Sequence, residues 1–311
     1  MSPGAGSQVR YFDFEGCRLA YTDFGSGDRA LVLVHGQLLS QLMHRPLAES
    51  LAAGGHRVIT MDVLGHGASD HPTEMWRYSM TQFAEQVVGL LDHLGIGRAV
   101  VGGTSLGANV GLEFGAIAPE RAQGLLVEMP VLDEGVYGAV VVFTPLLTIF
   151  QYARPAVRLA GFLARLVPRA VLPFLGNVML DTIRQDHTAS AAVLQGMFLG
   201  RIAPQRGLLR KFTMPVLVIG HHHDPIHPLV DARTLASEIP GARLIEATSV
   251  LEMRLHPERL TAEIGRFLDQ CWEEPQETGR EAVKVRPANR PVSRRRPPVR
   301  AARAPATSRR G

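Results

Sequence analysis

The sequence predicts an α/β fold with a mostly parallel sheet. Two observations carry that prediction. Fully apolar runs of strand length alternate with segments of helical spacing along most of the chain, the pattern of a sheet covered on both faces by crossover helices. One of these runs, Val100-Val101-Gly102, leads through Gly103-Thr104-Ser105-Leu106-Gly107 into a helical segment. A serine between glycines therefore stands where a strand turns sharply into a helix. With 311 residues, 46% of them apolar, the chain can bury a core of the size such a sheet needs.

Val9 to Asp23 reads as a hairpin, with Tyr11 and Phe12 before a turn at Glu15-Gly16 and Leu19 and Tyr21 alternating after it. Ala30 to Val34 is a buried strand ending at His35-Gly36-Gln37, and Leu42 to Ala53 a helix stopped by Gly54-Gly55. His56 to Asp62 is the next strand, followed by a glycine-rich loop from Leu64 to Asp70. Ser79 and Gln82 form a capping box, opening a helix with Phe83, Val87, Leu90, Leu91 and Leu94 on one face. Arg98 to Gly102 is the strand feeding the serine turn, and the helix beyond it carries Gly107, Ala108, Gly111 and Gly115, small enough for close packing. Gly124 to Met129, Met214 to Gly220 and Ala242 to Ala247 are further strands; Pro257 to Trp272 is the last helix, with proline in its first turn.

Residues 132–209 break the alternation. They are apolar and helical in pattern over Val140 to Phe150 and Ala156 to Phe174, punctuated by Pro145, Pro155, Pro168 and Pro173. Gly138, Pro145, Gln151 and the nearby Arg154 and Arg158 argue against a membrane span. The expectation is a helical cap shaping an apolar pocket above Ser105, because the segment offers no clear polar anchor.

The net charge of +4 is unevenly spread: residues 276–311 hold ten Arg and one Lys against two Glu, leaving a body of net charge −5. That composition, rich in Pro, Ala and Arg, cannot build a core and is expected to be disordered. The basic pI thus reflects a tail and not a nucleic-acid-binding face, and any nucleic-acid partner would meet this tail. Cys17 and Cys271 are too far apart in sequence to suggest a disulfide framework. Met1 to Gln8 has no apolar signal core, so a cytoplasmic location is the expectation. The predicted organisation is a flexible N-terminus (1–8), a core (9–131 and 210–272), the cap (132–209) and the tail (273–311).

Taken together, residues 9–271 resemble the α/β-hydrolase superfamily. The resemblance rests on His35-Gly36 after a buried strand, Asp62-x-x-Gly65-x-Gly67-x-Ser69 after the next, the elbow at Ser105, and Asp224 in His223-Asp224-Pro225-Ile226-His227-Pro228. It implies an eight-stranded sheet with a helical cap after the sixth strand. It also implies Ser105 as nucleophile, Asp224 as the triad acid, and an oxyanion hole from the backbone N–H groups of Gln37 and Leu106. A serine at the elbow argues against the epoxide hydrolase and haloalkane dehalogenase branches, which carry aspartate there. An unassisted serine hydroxyl needs a base within reach, itself oriented by a third group. The family places that histidine in the loop after the last strand, but here Ser249-Val250 occupies the expected position. Two candidates remain: His256, the one histidine beyond the last strand, and His227, three residues after Asp224.

No cofactor and no metal is expected, since the adjacent His221-His222-His223 cannot all face one ion. The leading function is a serine-dependent hydrolase of an ester or related acyl compound with an apolar moiety. The competing reading is a non-catalytic binding protein that keeps the elbow and has lost its base at Val250. A third makes the chain an interaction protein recruited through its basic tail.

Overall fold

The computed structural model describes residues 8–273, so the expectations for the N-terminus and the basic tail fall, but for residues 8 and 273, outside the described residues. Eight strands make one sheet: β1 (Arg10–Phe14), β2 (Cys17–Phe24), β3 (Ala30–Val34), β4 (Arg57–Asp62), β5 (Ala99–Thr104), β6 (Ala122–Glu128), β7 (Val216–His221) and β8 (Arg243–Ala247). Their order is β1-β2-β4-β3-β5-β6-β7-β8. The β1–β2 and β2–β4 pairs are antiparallel and every other pair is parallel. This is the predicted α/β architecture.

The helices are α1 (Arg45–Ala53), α2 (Met80–His93), α3 (Leu106–Ile117), α4 (Asp133–Tyr152), α5 (Arg154–Leu166), α6 (Phe174–Arg184), α7 (His187–Leu199), α8 (Arg206–Leu209), α9 (Leu229–Glu238), α10 (Glu252–Leu255) and α11 (Glu258–Trp272). Burial on both sheet faces explains the uninterrupted apolar strands. On one face Phe83, Val87 and Leu91 of α2, Leu112 and Phe114 of α3 and Leu235 of α9 pack with Val32, Val101 and Val127. On the other, Leu47 and Leu51 of α1 and Leu260, Ile264 and Phe267 of α11 pack with Leu31, Leu33, Val100 and Leu217. Ser79 caps α2 by accepting the N–H of Gln82 at 3.2 Å, the arrangement its spacing predicts.

Asp62 explains the glycine-rich loop after β4. Its buried carboxylate accepts the N–H of Gln41 at 2.6 Å and of Ala68 at 2.9 Å, and a Cβ on Gly67 would lie 2.2 Å from its carboxyl carbon. The motif thus ties two loops together and supplies no reacting group.

Five helices, α4 to α8, lie between β6 and β7. The expected helix from Ala156 to Phe174 stops at Leu166, where Val167 and Pro168 are extended and a short 3-10 turn over Arg169–Val171 leads to α6. Proline disfavours helical backbone in the residue before it, which ends the helix earlier than the apolar spacing suggests. Pro145 is carried inside α4. Among the described residues α4 alone is long and apolar enough to cross a membrane.

Candidate functional site

The site is built at the carboxyl ends of β3, β5, β6 and β7, where open α/β sheets bind their ligands. Ser105 forms the turn between β5 and α3 with φ 55° and ψ −109°, a conformation that costs a residue with a Cβ on the order of 1–3 kcal/mol. The surroundings enforce it. Its N–H is held by the carbonyl of Glu128 at 2.9 Å, and its carbonyl accepts the N–H of Asn109 at 3.0 Å. The hydroxyl makes no capping bond to its own helix, so it is free for another partner.

The flanking glycines have a measurable reason. A Cβ on Gly103 would meet the Val34 carbonyl oxygen at 1.8 Å, and one on Gly107 would meet the same atom at 1.9 Å. No rotamer relieves a clash with strand backbone, so Gly107→Ala is expected to cost about 2 kcal/mol or more. A urea midpoint equal to wild type would show that β3 yields instead.

The partner of Ser105 is His227. Its Nε2 lies 2.8 Å from Ser105 Oγ, and its Nδ1 lies 2.8 Å from Asp224 Oδ2. With the proton on Nδ1 donated to the carboxylate, Nε2 is left to accept the serine proton. One turn supplies both groups. Asp224 Oδ1 accepts the N–H of Ile226 at 2.8 Å and of His227 at 3.0 Å, an Asx turn whose second residue, Pro225, is preset for it. The two side chains are 4% (Asp224) and 11% (His227) exposed. Burial pushes the Asp224 carboxyl up, but the His227 ring and the two backbone N–H groups outweigh it and hold the carboxyl below its ordinary value.

His256, the other candidate, is not brought to the site. It is exposed at the end of α10, where its N–H closes on the Glu252 carbonyl at 2.9 Å. The cause is the winding of the loop after β8. Glu252 accepts the N–H and hydroxyl of Thr248 at 2.6 and 2.7 Å, which fixes a helical turn that carries the residue before Pro257 outward.

That loop delivers an arginine instead, and this residue has no signal in the sequence pattern. Arg254 reaches Glu128 Oε2 and Thr104 Oγ1, each at 3.1 Å, behind the elbow. Thr104 Oγ1 also donates to Glu128. His221, at the end of β7, lies 3.3 Å from the other Glu128 oxygen and 2.8 Å from the Ser249 carbonyl. Burial raises the Glu128 carboxyl, yet Arg254 and His221 overcome it and keep it ionised, well below the usual carboxylate range. Glu128 thus fixes the nucleophile's backbone through its carbonyl and anchors the β8 loop through its carboxylate.

The expected oxyanion donors, Gln37 and Leu106, follow β3 and open α3. Neither backbone N–H makes a hydrogen bond among the described residues. The His35 ring bonds the Gly36 carbonyl at 2.8 Å while its Nε2 accepts the Val63 N–H at 3.3 Å. A trans peptide points its N–H opposite its carbonyl, so this anchor turns the Gln37 N–H away from His35. The Gly36 backbone passes close to the nucleophile, its Cβ position being 3.9 Å from Ser105 Cβ.

The inserted helices touch this machinery in two places. A Cβ on Gly138 of α4 would lie 2.5 Å from the Pro225 carbonyl, beside the His227 turn. Gln185, after α6, donates to the Leu38 carbonyl at 2.7 Å in the loop after Gln37. A cavity of about 450 Å³ opens beside that contact, with Gln41, Asp62, Arg169, Arg184 and Gln185 among its walls.

The buried imidazoles give the fold an acid limit. Burial holds His35 and His44 down to about 4 against an ordinary 6.5, the backbone bonds to Gly36 and Val34 offsetting only part of it. Between those values the unfolded chain binds protons that the folded chain refuses, so stability present above pH 6.5 is lost as pH falls towards 4. Each ring contributes on the order of 3 kcal/mol to that loss. Denaturant midpoints measured from pH 7 to 4 should fall steeply; a flat profile would show that the rings take up protons without unfolding.

A family model described as alpha/beta hydrolase fold matches residues 29–143. The dihydrolipoyllysine-residue acetyltransferase component of the acetoin cleaving system of Pseudomonas putida is 38% identical over 118 residues. The match covers 37% of this chain and 30% of that protein, so the chain spans less than a third of that relative. A haloalkane dehalogenase of Mycobacterium marinum is 28% identical over 72% of this chain and 78% of that protein. The crystal structure of the enol-lactonase from Burkholderia xenovorans matches with a TM-score of 0.67 at 23% identity, covering 84% of this chain and 100% of that one.

Proposed function

We propose that this chain, which has the α/β-hydrolase fold, is a serine-dependent hydrolase of an ester or related acyl compound. The observation that carries this is the unbroken Ser105–His227–Asp224 relay, with both contacts at 2.8 Å.

Ser105 Oγ attacks the acyl carbonyl while His227 Nε2 takes its proton, and Asp224 stabilises the imidazolium that forms. The carbonyl oxygen becomes an oxyanion held by the N–H groups of Gln37 and Leu106, donors that need no rearrangement when the charge develops. The imidazolium then gives its proton to the departing alcohol oxygen, leaving an acyl ester on Ser105. Water enters, His227 takes one of its protons, and the second tetrahedral adduct collapses to the free acid and the serine hydroxyl. The α4–α8 helices act as a cap, in contact with the His227 turn through Gly138 and with the loop after Gln37 through Gln185.

The non-catalytic reading rested on Val250 at the usual base position. His227, with its Nε2 2.8 Å from Ser105 Oγ, supports the catalytic reading instead by offering a base from the loop after β7. The test is Ser105→Ala assayed with a short-chain aryl ester and by mass spectrometry for an acyl adduct. Wild type should turn over and acylate at Ser105, and the variant should do neither. Equal turnover in both would sink the serine mechanism.

A further inference from the structure

The outer surface of the inserted helices reverses the usual arrangement of an amphipathic helix. In α5 the body side carries little bulk: Ala164 is buried, Val157 is half-buried, and Gly161 approaches the Ile183 carbonyl, 3.3 Å from its Cβ position. At 100° per residue the opposite side carries Leu159, Phe162, Leu163 and Leu166. All four are more than half exposed, from 52% to 63%. Helix α4 behaves alike: Gly135 is its one buried residue, and Tyr137, Val141 and Tyr152 are at least 71% exposed. A soluble helix turns its bulky apolar residues inward. This pair turns much of its apolar bulk out, although Phe143, Leu146, Leu147 and Phe150 of α4 are half-buried.

Charge borders the apolar stripe on one side. Arg154, Arg158 and Arg165 fall within about 40° of one another on the α5 wheel and all three are exposed. Residues 135–180 contain no Asp or Glu, while the chain outside its tail has a net charge of −5. The face is therefore cationic on an otherwise acidic body. Nor can α4 leave the body to span a bilayer. The buried Asp231 carboxylate accepts the N–H of Leu132 at 2.7 Å, of Gly135 at 2.8 Å and of Glu134 at 3.3 Å. Its other end runs through Ala153 straight into α5.

We infer that the outer face of α4 and α5 lies on the surface of an anionic phospholipid bilayer. The α5 leucines and Phe162 enter the boundary between headgroups and acyl chains, and its three arginines pair with lipid phosphates. A second copy of the chain fits worse, because it would bring the two α5 arginine rows together.

The test is sedimentation of the full-length protein with phosphatidylcholine vesicles, with and without one-third phosphatidylglycerol. Binding is expected to the anionic vesicles, and Phe162→Glu with Leu166→Glu, or Arg154→Glu with Arg158→Glu, should each weaken it about tenfold or more. Phe162→Trp, which keeps the face apolar, should show a blue-shifted emission on those vesicles. No sedimentation of wild type overturns the inference. So does undiminished binding by both double variants, which would assign the lipid contact to the basic tail. A dimer in solution that Phe162→Glu dissolves, without lipid binding, overturns it in favour of a second copy.

Discussion

Replacing His227 by alanine is expected to lower kcat for ester hydrolysis by about four orders of magnitude or more, while His256→Ala leaves it unchanged. Loss of the base strands the serine at its free, unreactive protonation state, and only binding and oxyanion stabilisation remain. His256 is exposed and has no hydrogen bond to Ser105, so its removal touches no reacting atom. Folding should survive in both, because the Asp224 turn is closed by backbone N–H groups that alanine keeps. The measurement is kcat and KM for wild type and both variants at one pH, with thermal midpoints as the control. A large loss in His256→Ala with an active His227→Ala would reverse the assignment.

The second large effect lies behind the nucleophile. Arg254→Ala is expected to destabilise the fold by about 3–5 kcal/mol, since it strands the Glu128 carboxylate in the interior. The side chains are 13% (Arg254) and 5% (Glu128) exposed, so little solvent screening softens the loss. For a domain of this size that is a fall in Tm of roughly 10 °C. The double variant Arg254→Met, Glu128→Gln should recover much of it, because neutral groups carry no such desolvation cost. If the single variant melts like wild type, water or His221 alone satisfies Glu128 and the clamp is not structural. The sign with pH follows from the depressed carboxyl of Glu128: its contribution is complete above the ordinary carboxylate range and is lost as pH falls through the lowered folded value.

The sheet and the elbow were legible because their causes are local. A strand buried on both faces is apolar throughout, as in Ala30 to Val34, and Gly103 and Gly107 declare a close approach whatever they approach. The base was not legible in this way. Counting positions after the last strand assumes which loop carries it, and here Arg254 from that loop is spent on Glu128. Asp224-Pro225-Ile226-His227 did hold a local signal, an Asx turn, but spacing alone does not say that Ser105 lies across from it. One helix end inside the insertion differs for a related reason. Apolar spacing runs past Pro168, and the helix stops at Leu166 because of backbone sterics before that proline. Arg254, Gln185 and Asp231 act through partners 96 or more residues away, and a single sequence carries no trace of such pairings.

The shared turn of Asp224 and His227 sets how the site tolerates thermal motion. When nucleophile, base and acid hang from three separate loops, two gaps must close at the same instant, and each loop wanders on its own. Here the acid–base gap spans three residues closed by their own amides, so breathing of the strands moves both groups as one rigid piece. A single coordinate, the spacing between the β5 elbow and the β7 turn, then decides whether the relay is assembled. The loop after β8 can change in length or sequence without altering that coordinate, provided Arg254 still finds Glu128.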